Sequence, residues 1–334
     1  MFHFSPLFTD HMVLSADLPI RVYGEGDGLI TVSLNGASAS AQAQSGRWLV
    51  TLPAMPCGGP FRLQATDGTH TVILSDVYIG LVYLCAGQSN MQLTLSETDY
   101  PAEKYENNGL LRFFSTARLE DNEPFFPSDG WMISTRDTAA RRTAIGYLMG
   151  NEISRKKNVA VGIVCCYQGA SVIETWVPQG AFDAIGLGLS REEKGGNHTD
   201  DVCAAWYEDG TLYHYAFSQV VPFSFSAVVW YQGESDACCE AESRVYAREL
   251  AELIRIWRRD LMNDTLPFVI IQIADYAPYP FPNAWKQIQQ QQLEVMNLTH
   301  SVKTVICADI CGNELIHPVE KQELSHRVAC ALTE

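Results

Sequence analysis

The sequence of 334 residues contains no apolar run long enough to cross a membrane, because a spanning helix needs about 20 mostly apolar residues. Positive charge is also scarce: 23 Lys and Arg stand against 39 Asp and Glu, which gives a formal net charge of -16. Non-specific nucleic-acid binding depends on neutralising phosphates with Lys and Arg, so this balance disfavours it. A neutral small substrate fits the overall charge, whereas an anionic one needs a local positive patch.

Recognisable metal-binding and export signals are missing as well. Neither paired CxxC motifs nor HExxH occurs, so we predict no metal and no cofactor. The ten cysteines include the adjacent pairs Cys165-Cys166 and Cys238-Cys239, and several others lie in apolar runs, which favours buried free thiols over disulfides. Residues 1–7 carry no basic segment followed by a long apolar one, so we expect a cytoplasmic location; a secretory signal removed earlier is the alternative.

The pattern of apolar and polar residues changes near residue 78. Residues 1–78 consist of short alternating apolar runs separated by Gly, Pro, Asn and Asp, which predicts an N-terminal β-sandwich domain. Residues 79–334 alternate apolar runs with longer helical patterns, which is typical of an α/β domain with a parallel central sheet covered by helices. The predicted strands of this second domain are residues 82–85, 159–165, 227–231, 268–273 and 304–308, and the predicted helices are residues 139–156, 212–220, 241–261, 283–298 and 320–332.

A candidate nucleophile follows the first of these strands. In Gly87-Gln88-Ser89-Asn90-Met91 the serine stands where a strand ends and a helix begins, so its side chain projects above the carboxyl edge of the sheet. The helix that follows offers free N–H groups to a developing oxyanion. The alternative interpretation is that Ser89 only caps that helix.

Two other strands end at the same edge of the sheet. Gly169 follows one of them and could present a backbone N–H to the oxyanion, and Gln232 follows the other and could present its side-chain amide. A turn glycine and a surface amide are the simpler interpretations of the same two residues. After the last strand, His317 reaches this edge where a general base is needed, and Glu314 could orient its imidazole.

Three blocks of the sequence lie at predicted strand ends or before the last helix: GQSNM at residues 87–91, WYQGE at residues 230–234, and IHP at residues 316–318 followed by Lys321. In their order and spacing they resemble the sialate O-acetylesterase family, a group of SGNH-type carbohydrate esterases. Residues 11–14, 46–48, 58–61 and 76–77 are similar to that family's β-sandwich and its junction, so the resemblance spans nearly the whole chain. The fold that it implies is a three-layer α/β/α SGNH-hydrolase domain preceded by a β-sandwich.

The resemblance also implies residue roles. Ser89 would be the nucleophile and His317 the base, and the oxyanion hole would comprise the N–H groups of Ser89 and Gly169 with the Gln232 side chain. Either Glu314 or a backbone carbonyl would complete the triad. The remaining implied roles, in substrate binding or loop support, fall to Gln88, Asn90, Trp176 and Glu234.

Four positions depart from the family pattern and bear on which sugar is bound. Leu81 and Asp236 replace a common Asp and Asn, residues 167–169 read Tyr-Gln-Gly instead of Trp-Gly-Gly, and Gln289 stands where an Arg is common. The resemblance favours hydrolysis of O-acetylated sialic acids. Acetylxylan or another neutral glycan, and a non-catalytic sugar-binding protein, are the alternatives. A lipase-type elbow is disfavoured because residues 87–91 lack the second glycine of GxSxG.

Overall fold

The computed structural model describes residues 1–116, 118–120, 123–125, 130–189 and 204–334. The strands of the first 87 residues are β1 His3–Phe4, β2 Val13–Ser15, β3 Ile20–Glu25, β4 Leu29–Leu34, β5 Ala37–Gln42, β6 Arg47–Leu52, β7 Gly58–Thr66 and β8 Thr71–Gly87. The strands described after them are β9 Asn108–Ser115, β10 Arg118–Glu120, β11 Glu123–Phe125, β12 Met132–Ser134, β13 Val161–Tyr167, β14 Ala227–Tyr231, β15 Phe268–Ile271 and β16 Val302–Val305. The described α-helices are α1 Ser89–Gln92, α2 Arg136–Ala139, α3 Ala144–Lys157, α4 Thr211–Tyr215, α5 Glu240–Asp260, α6 Pro282–Leu298 and α7 Gln322–Thr333.

The fold is mixed α/β, built around one large mixed sheet. Its main path runs β12-β9-β13-β8-β14-β15-β16, in which every neighbouring pair except β12 with β9 is parallel. Strand β14 is buried at every position, as expected for a strand covered by helices on both faces. The carboxyl ends of β8, β13 and β14 are therefore brought to one edge, with Gly87 level with both Tyr167 and Tyr231.

Strand β8 crosses the predicted boundary after residue 78. Its first part pairs with β7 and β2 among the N-terminal strands, and its second part pairs with β13 and β14. Because one strand belongs to both groups, the N-terminal strands are anchored rigidly to the α/β part. A separate three-stranded sheet, β1-β3-β6, lies beside them.

A buried arginine adds to this anchorage. Arg21 of β3 donates hydrogen bonds to Ser224 Oγ at 3.0 Å, to the Leu261 carbonyl at 3.0 Å and to the Met262 carbonyl at 2.7 Å. Hydrogen bonds from a charged group are each worth about 1.5–3 kcal/mol, and leaving such a group unpaired in the interior is costly. The contact fixes the N-terminal strands against residues far along the chain.

Strand β9 was not among the sequence predictions, because a charged residue interrupts its apolar run. Arg112 is 2% exposed, donates to the carbonyls of His11 and Asp76 at 2.9 and 2.6 Å, and lies over the Tyr78 ring at 4.5 Å. The charge is thus compensated at the N-terminal strands, and β9 takes its place parallel to β13.

The described cysteines agree with the sequence prediction of free thiols, and the described helices agree with the predicted ones in part. The nine described cysteines are free thiols; Cys203 lies outside the described residues. Among the described residues, none of the helices combines the length and apolar character that a bilayer-spanning segment requires. The predicted helix 139–156 corresponds to α3, which begins later, at Ala144, and the α-helical part of the predicted helix 212–220 ends at Tyr215.

Candidate active site

Ser89 and His317 are in direct contact at the carboxyl edge of the sheet. The Nε2 atom of His317 lies 2.7 Å from Ser89 Oγ, within hydrogen-bond distance. Ser89 is the first residue of α1, whose N-cap is Gln88 and has no side-chain capping bond. The interpretation of Ser89 as a helix cap is therefore not supported, and its hydroxyl is available to a base.

Gly87 determines how the chain reaches the serine. Its φ is +134°, a conformation that residues with a side chain rarely adopt, and a Cβ atom there would lie 2.1 Å from the Tyr231 carbonyl oxygen. A glycine is therefore required where β8 meets β14. This close approach places Ser89 directly above the end of the sheet.

The surroundings of His317 favour its neutral form. Burial lowers the pKa of His317 below its usual value, the nearby Lys321 ammonium lowers it further, and Glu97 opposes both. A base must be unprotonated to accept the serine proton, so this direction favours catalysis near neutral pH. Glu97 and Ser89 line the same cavity as His317.

Asn90 connects the serine segment to the histidine segment. Its Nδ2 donates to Glu234 Oε1 at 2.6 Å and to the Ile316 carbonyl at 2.9 Å, and its Oδ1 accepts from Lys321 Nζ at 3.0 Å. Glu234 is 3% exposed, and burial raises the pKa of its carboxyl group against the opposing effects of Asn90 and Lys321. The network fixes the residue that immediately precedes His317.

Gln88 supports the loop that follows β14. Its Oε1 accepts from the backbone N–H groups of Gly233 at 3.1 Å and Ser235 at 3.4 Å, and its Nε2 donates to Ser235 Oγ at 3.3 Å. The side chain is 2% exposed, which places it beneath the site. Of the two predicted roles of Gln88, substrate binding and loop support, these contacts correspond to the second.

Gln232 is not placed to donate to an oxyanion at Ser89. It is fully buried, and its Nε2 donates to the Ser171 carbonyl at 3.0 Å and to the Asp236 carboxylate. Its Oε1 accepts from Tyr246 at 2.8 Å. The side chain turns into the interior because these partners use its whole amide, so it braces the loop after β13.

Gly169 lies beside the serine, but its N–H is engaged in this structure. A Cβ atom at Gly169 would lie 3.7 Å from Ser89 Cβ, and the Gly169 N–H donates to Gln92 Oε1 at 2.9 Å. The Ser89 N–H makes no hydrogen bond within the described part of the chain. Of these two N–H groups, the one of Gly169 is therefore occupied by the Gln92 side chain.

Besides Gln232, two more sequence predictions do not agree with the positions of their side chains. Trp176 is fully buried, donates to Ser171 Oγ at 3.0 Å and packs edge-on against Trp230, so it belongs to the core and not to a substrate wall. Its short 3₁₀ helix turns the indole inward. Glu314 is exposed and forms no hydrogen bond or ion pair with His317 or any other described residue. The loop holding Glu314 points its carboxylate to solvent, so it does not orient the imidazole here.

The cavity over Ser89 has a volume of about 420 Å³, within the usual range for a small-molecule site. The lining residues that the sequence did not predict include Gln92, Glu97 and Arg141. Gln92 stands one helical turn after Ser89, a spacing that the sequence offers. Glu97 closes a capping box with Thr94, which is visible as the T-x-x-E pattern.

A family model for carbohydrate esterases, described as sialic acid-specific acetylesterases, matches residues 80–321. The chain belongs to this family. The sialate O-acetylesterases of Rattus norvegicus and Homo sapiens are both 24% identical over 98% of this chain, and the matches cover 72% and 69% of those proteins. A solved carbohydrate acetylesterase from Xanthomonas citri is similar at a TM-score of 0.84 and 26% identity, covering 99% of this chain and 74% of that one.

Family membership establishes the reaction class: the protein is a carbohydrate esterase that removes acetyl groups. The family match begins at residue 80, shortly before the turn at Gly87, and ends at Lys321. It therefore includes the Ser89–His317 pair and the Asn90 network.

Proposed function

We propose that the protein hydrolyses O-acetyl esters of sugars through an acetyl-serine intermediate on Ser89. The observation that carries this proposal is the 2.7 Å contact between Ser89 Oγ and His317 Nε2 at the floor of the cavity. His317 accepts the hydroxyl proton while Oγ attacks the acetyl carbonyl carbon. The bond to the sugar oxygen then breaks, and that oxygen takes the proton from His317.

The second half of the reaction uses the same groups. His317 removes a proton from water, the hydroxide attacks the acetyl-serine carbonyl, and Ser89 recovers its proton as acetate leaves. The Ser89 N–H, and the Gly169 N–H once Gln92 withdraws, donate to the oxyanion in both halves. Losing one such donor costs about 2.7–4 kcal/mol in the barrier.

We further propose that the natural substrates are O-acetylated sialic acids. The family description and the curated relatives support this class. Arg141 adds a feature of this chain: it lines the cavity, and its guanidinium group makes no hydrogen bond or ion pair with any described residue. In a protein of net charge -16, this cation offers a substrate carboxylate a local attraction.

The domain arrangement is part of the proposal. Residues 1–78 would form a β-sandwich module, and residues 79–334 a three-layer SGNH-type catalytic domain. The buried contacts of Arg21 support a bracing role for the N-terminal strands. The catalytic steps require neither a metal nor an organic cofactor.

Acetate release from 9-O-acetyl-sialic acid, acetylxylan and a chromogenic acetyl ester tests the substrate class. We expect the sialic acid ester to be preferred, and Arg141→Ala to raise its KM about tenfold or more while leaving the neutral chromogenic ester unaffected, since only the first carries a carboxylate. An equal loss on both esters would contradict the assigned role of Arg141. Preference of the wild type for acetylxylan would favour the neutral-glycan alternative.

A further inference from the structure

A group of metal-ligating side chains lies on the outer surface where α3 contacts α7. Glu152 belongs to α3, and His326 and Cys330 belong to α7. His326 and Cys330 are four residues apart, so they lie on the same face of the helix. The potential ligand atoms of the three residues lie within 4.8 Å of one another.

The imidazole of His326 is oriented by a carboxylate. Its Nδ1 lies 2.9 Å from one oxygen of Glu152 and 3.0 Å from the other, so Nδ1 carries the proton and Nε2 presents its lone pair to the Cys330 thiol. A carboxylate bound to the far nitrogen is the usual partner of a metal-binding histidine, because it fixes the tautomer and makes the ring more basic.

His326 Nε2 and Cys330 Sγ are separated by the distance that two ligands of one metal ion require. His326 Nε2 lies 3.7 Å from Cys330 Sγ. Tetrahedral zinc with bonds of about 2.0–2.1 Å to nitrogen and about 2.3 Å to sulfur places its two ligand atoms about 3.6 Å apart. One cation therefore fits between the two atoms with little side-chain movement.

The position is accessible and has further oxygen atoms nearby. The His326 side chain is 51% exposed and Glu152 is 32% exposed. Glu323 and Glu334 line the same surface cavity as His326 and Cys330. Glu323 is paired with Arg327 at 3.2 Å and Glu334 with Lys303 at 4.0 Å, so water completes the coordination unless one of these carboxylates exchanges its partner for the metal.

We propose that His326 Nε2 and Cys330 Sγ bind a thiophilic divalent cation, Zn²⁺ in the first place, and that Glu152 is a positioning residue for the imidazole. On binding, the Cys330 thiol releases its proton to solvent as the metal–sulfur bond forms, so affinity rises with pH. The sequence prediction of no metal considered paired CxxC and HExxH motifs, and neither includes a His and a Cys four residues apart on one helix.

Bound metal would stabilise α7 and would take no part in ester hydrolysis. It would join two successive turns of α7, and the hydrogen bond from His326 to Glu152 would tie α7 to α3. Helix α7 begins just after Lys321, which belongs to the Asn90 network. A metal that binds only the folded protein stabilises it by RT ln(1 + c/Kd), where c is the concentration of free metal, so the unfolding temperature should rise with that concentration.

Cobalt titration of the reduced, chelator-treated full chain tests the site, because a thiolate bound to Co²⁺ gives a charge-transfer absorption band in the near ultraviolet. We expect a band that saturates at one equivalent, is displaced by Zn²⁺ and is lost in Cys330→Ser. Cys57→Ser is the matched control, since Cys57 is the exposed cysteine among those described, and it should keep the band. Glu152→Gln should weaken binding by about 10–100-fold.

Several results would overturn the proposal. They are the absence of the band in the wild type, its persistence in Cys330→Ser, or failure of Zn²⁺ to displace cobalt. Unchanged affinity in Glu152→Gln would contradict the positioning role. Esterase activity of each variant reports that it is folded, because none of the three side chains lines the cavity over Ser89.

Discussion

Replacing Asn90 with Ala removes three buried hydrogen bonds at once. Asn90 contacts Glu234 at 2.6 Å, Lys321 at 3.0 Å and the Ile316 carbonyl at 2.9 Å. The methyl group of Ala can replace none of them. The substitution leaves the Glu234 carboxyl group and the Lys321 ammonium buried without the amide that lies between them.

The expected loss of stability follows from these contacts. Hydrogen bonds to charged groups contribute about 1.5–3 kcal/mol each, and a neutral one about 1 kcal/mol. Water entering the vacated space recovers part of that sum, so the measured loss should resemble that of breaking a buried pair, about 3–5 kcal/mol. Without the hydrogen bond from Asn90 to the Ile316 carbonyl, the segment before His317 should also shift and displace the imidazole. A displacement near 1 Å costs about 100-fold in rate.

Urea unfolding and acetate release would measure both effects on the same protein. Asn297→Ala is the control, because Asn297 is exposed on α6 and its side chain hydrogen-bonds, among the described residues, to Glu294 alone, at 3.1 Å. Its stability should change by less than about 0.5 kcal/mol. If Asn90→Ala behaves like this control in both assays, the network does not hold His317 in place.

Three further predictions concern the site. Because burial and Lys321 lower the pKa of His317 and only its neutral form is a base, kcat/KM should fall with decreasing pH through a pKa below 6.5 and be flat near pH 7; a midpoint above 6.5 in the pH–rate profile would contradict this. Gln92→Glu should lower kcat about 10–100-fold, since it puts a negative charge beside the Gly169 N–H where the oxyanion forms; steady-state kinetics equal to wild type would place the oxyanion elsewhere. Glu314→Gln should change kcat less than about threefold because the carboxylate is exposed, whereas loss of a true triad acid costs about 10⁴-fold.

Much of the fold is predictable from the sequence because the strands of a parallel sheet are continuous apolar runs. The predicted strand 227–231 has the same bounds as β14, and the predicted strands at 159–165 and 268–273 overlap β13 and β15. Strand β9 is not predicted in this way because Arg112 breaks its apolar run, and the partners of this charge include residues about 35 and 100 positions earlier in the chain, among them the Asp76 carboxylate at 3.0 Å. Such compensation depends on tertiary contacts.

The residues of the site are likewise predictable in part. Ser89 and His317 are predictable because each follows a strand whose carboxyl end lies at one edge of the sheet. The direction of a side chain after such a strand is not predictable from its position alone: Gln232 turns inward to Ser171 and Asp236, and Trp176 enters the core. Arg141 follows no strand end and meets the cavity only through the packing of distant segments.

The most direct test of the account is to find the acetyl group on the enzyme. Rapid acid quenching during turnover of a chromogenic acetyl ester, followed by mass spectrometry of the digested protein, should show one acetyl group on the peptide that contains Ser89. His317→Ala should reduce the rate at which it forms, and Ser89→Ala should abolish both the modified peptide and acetate release. Acetate release by Ser89→Ala at the wild-type rate would contradict the central claim.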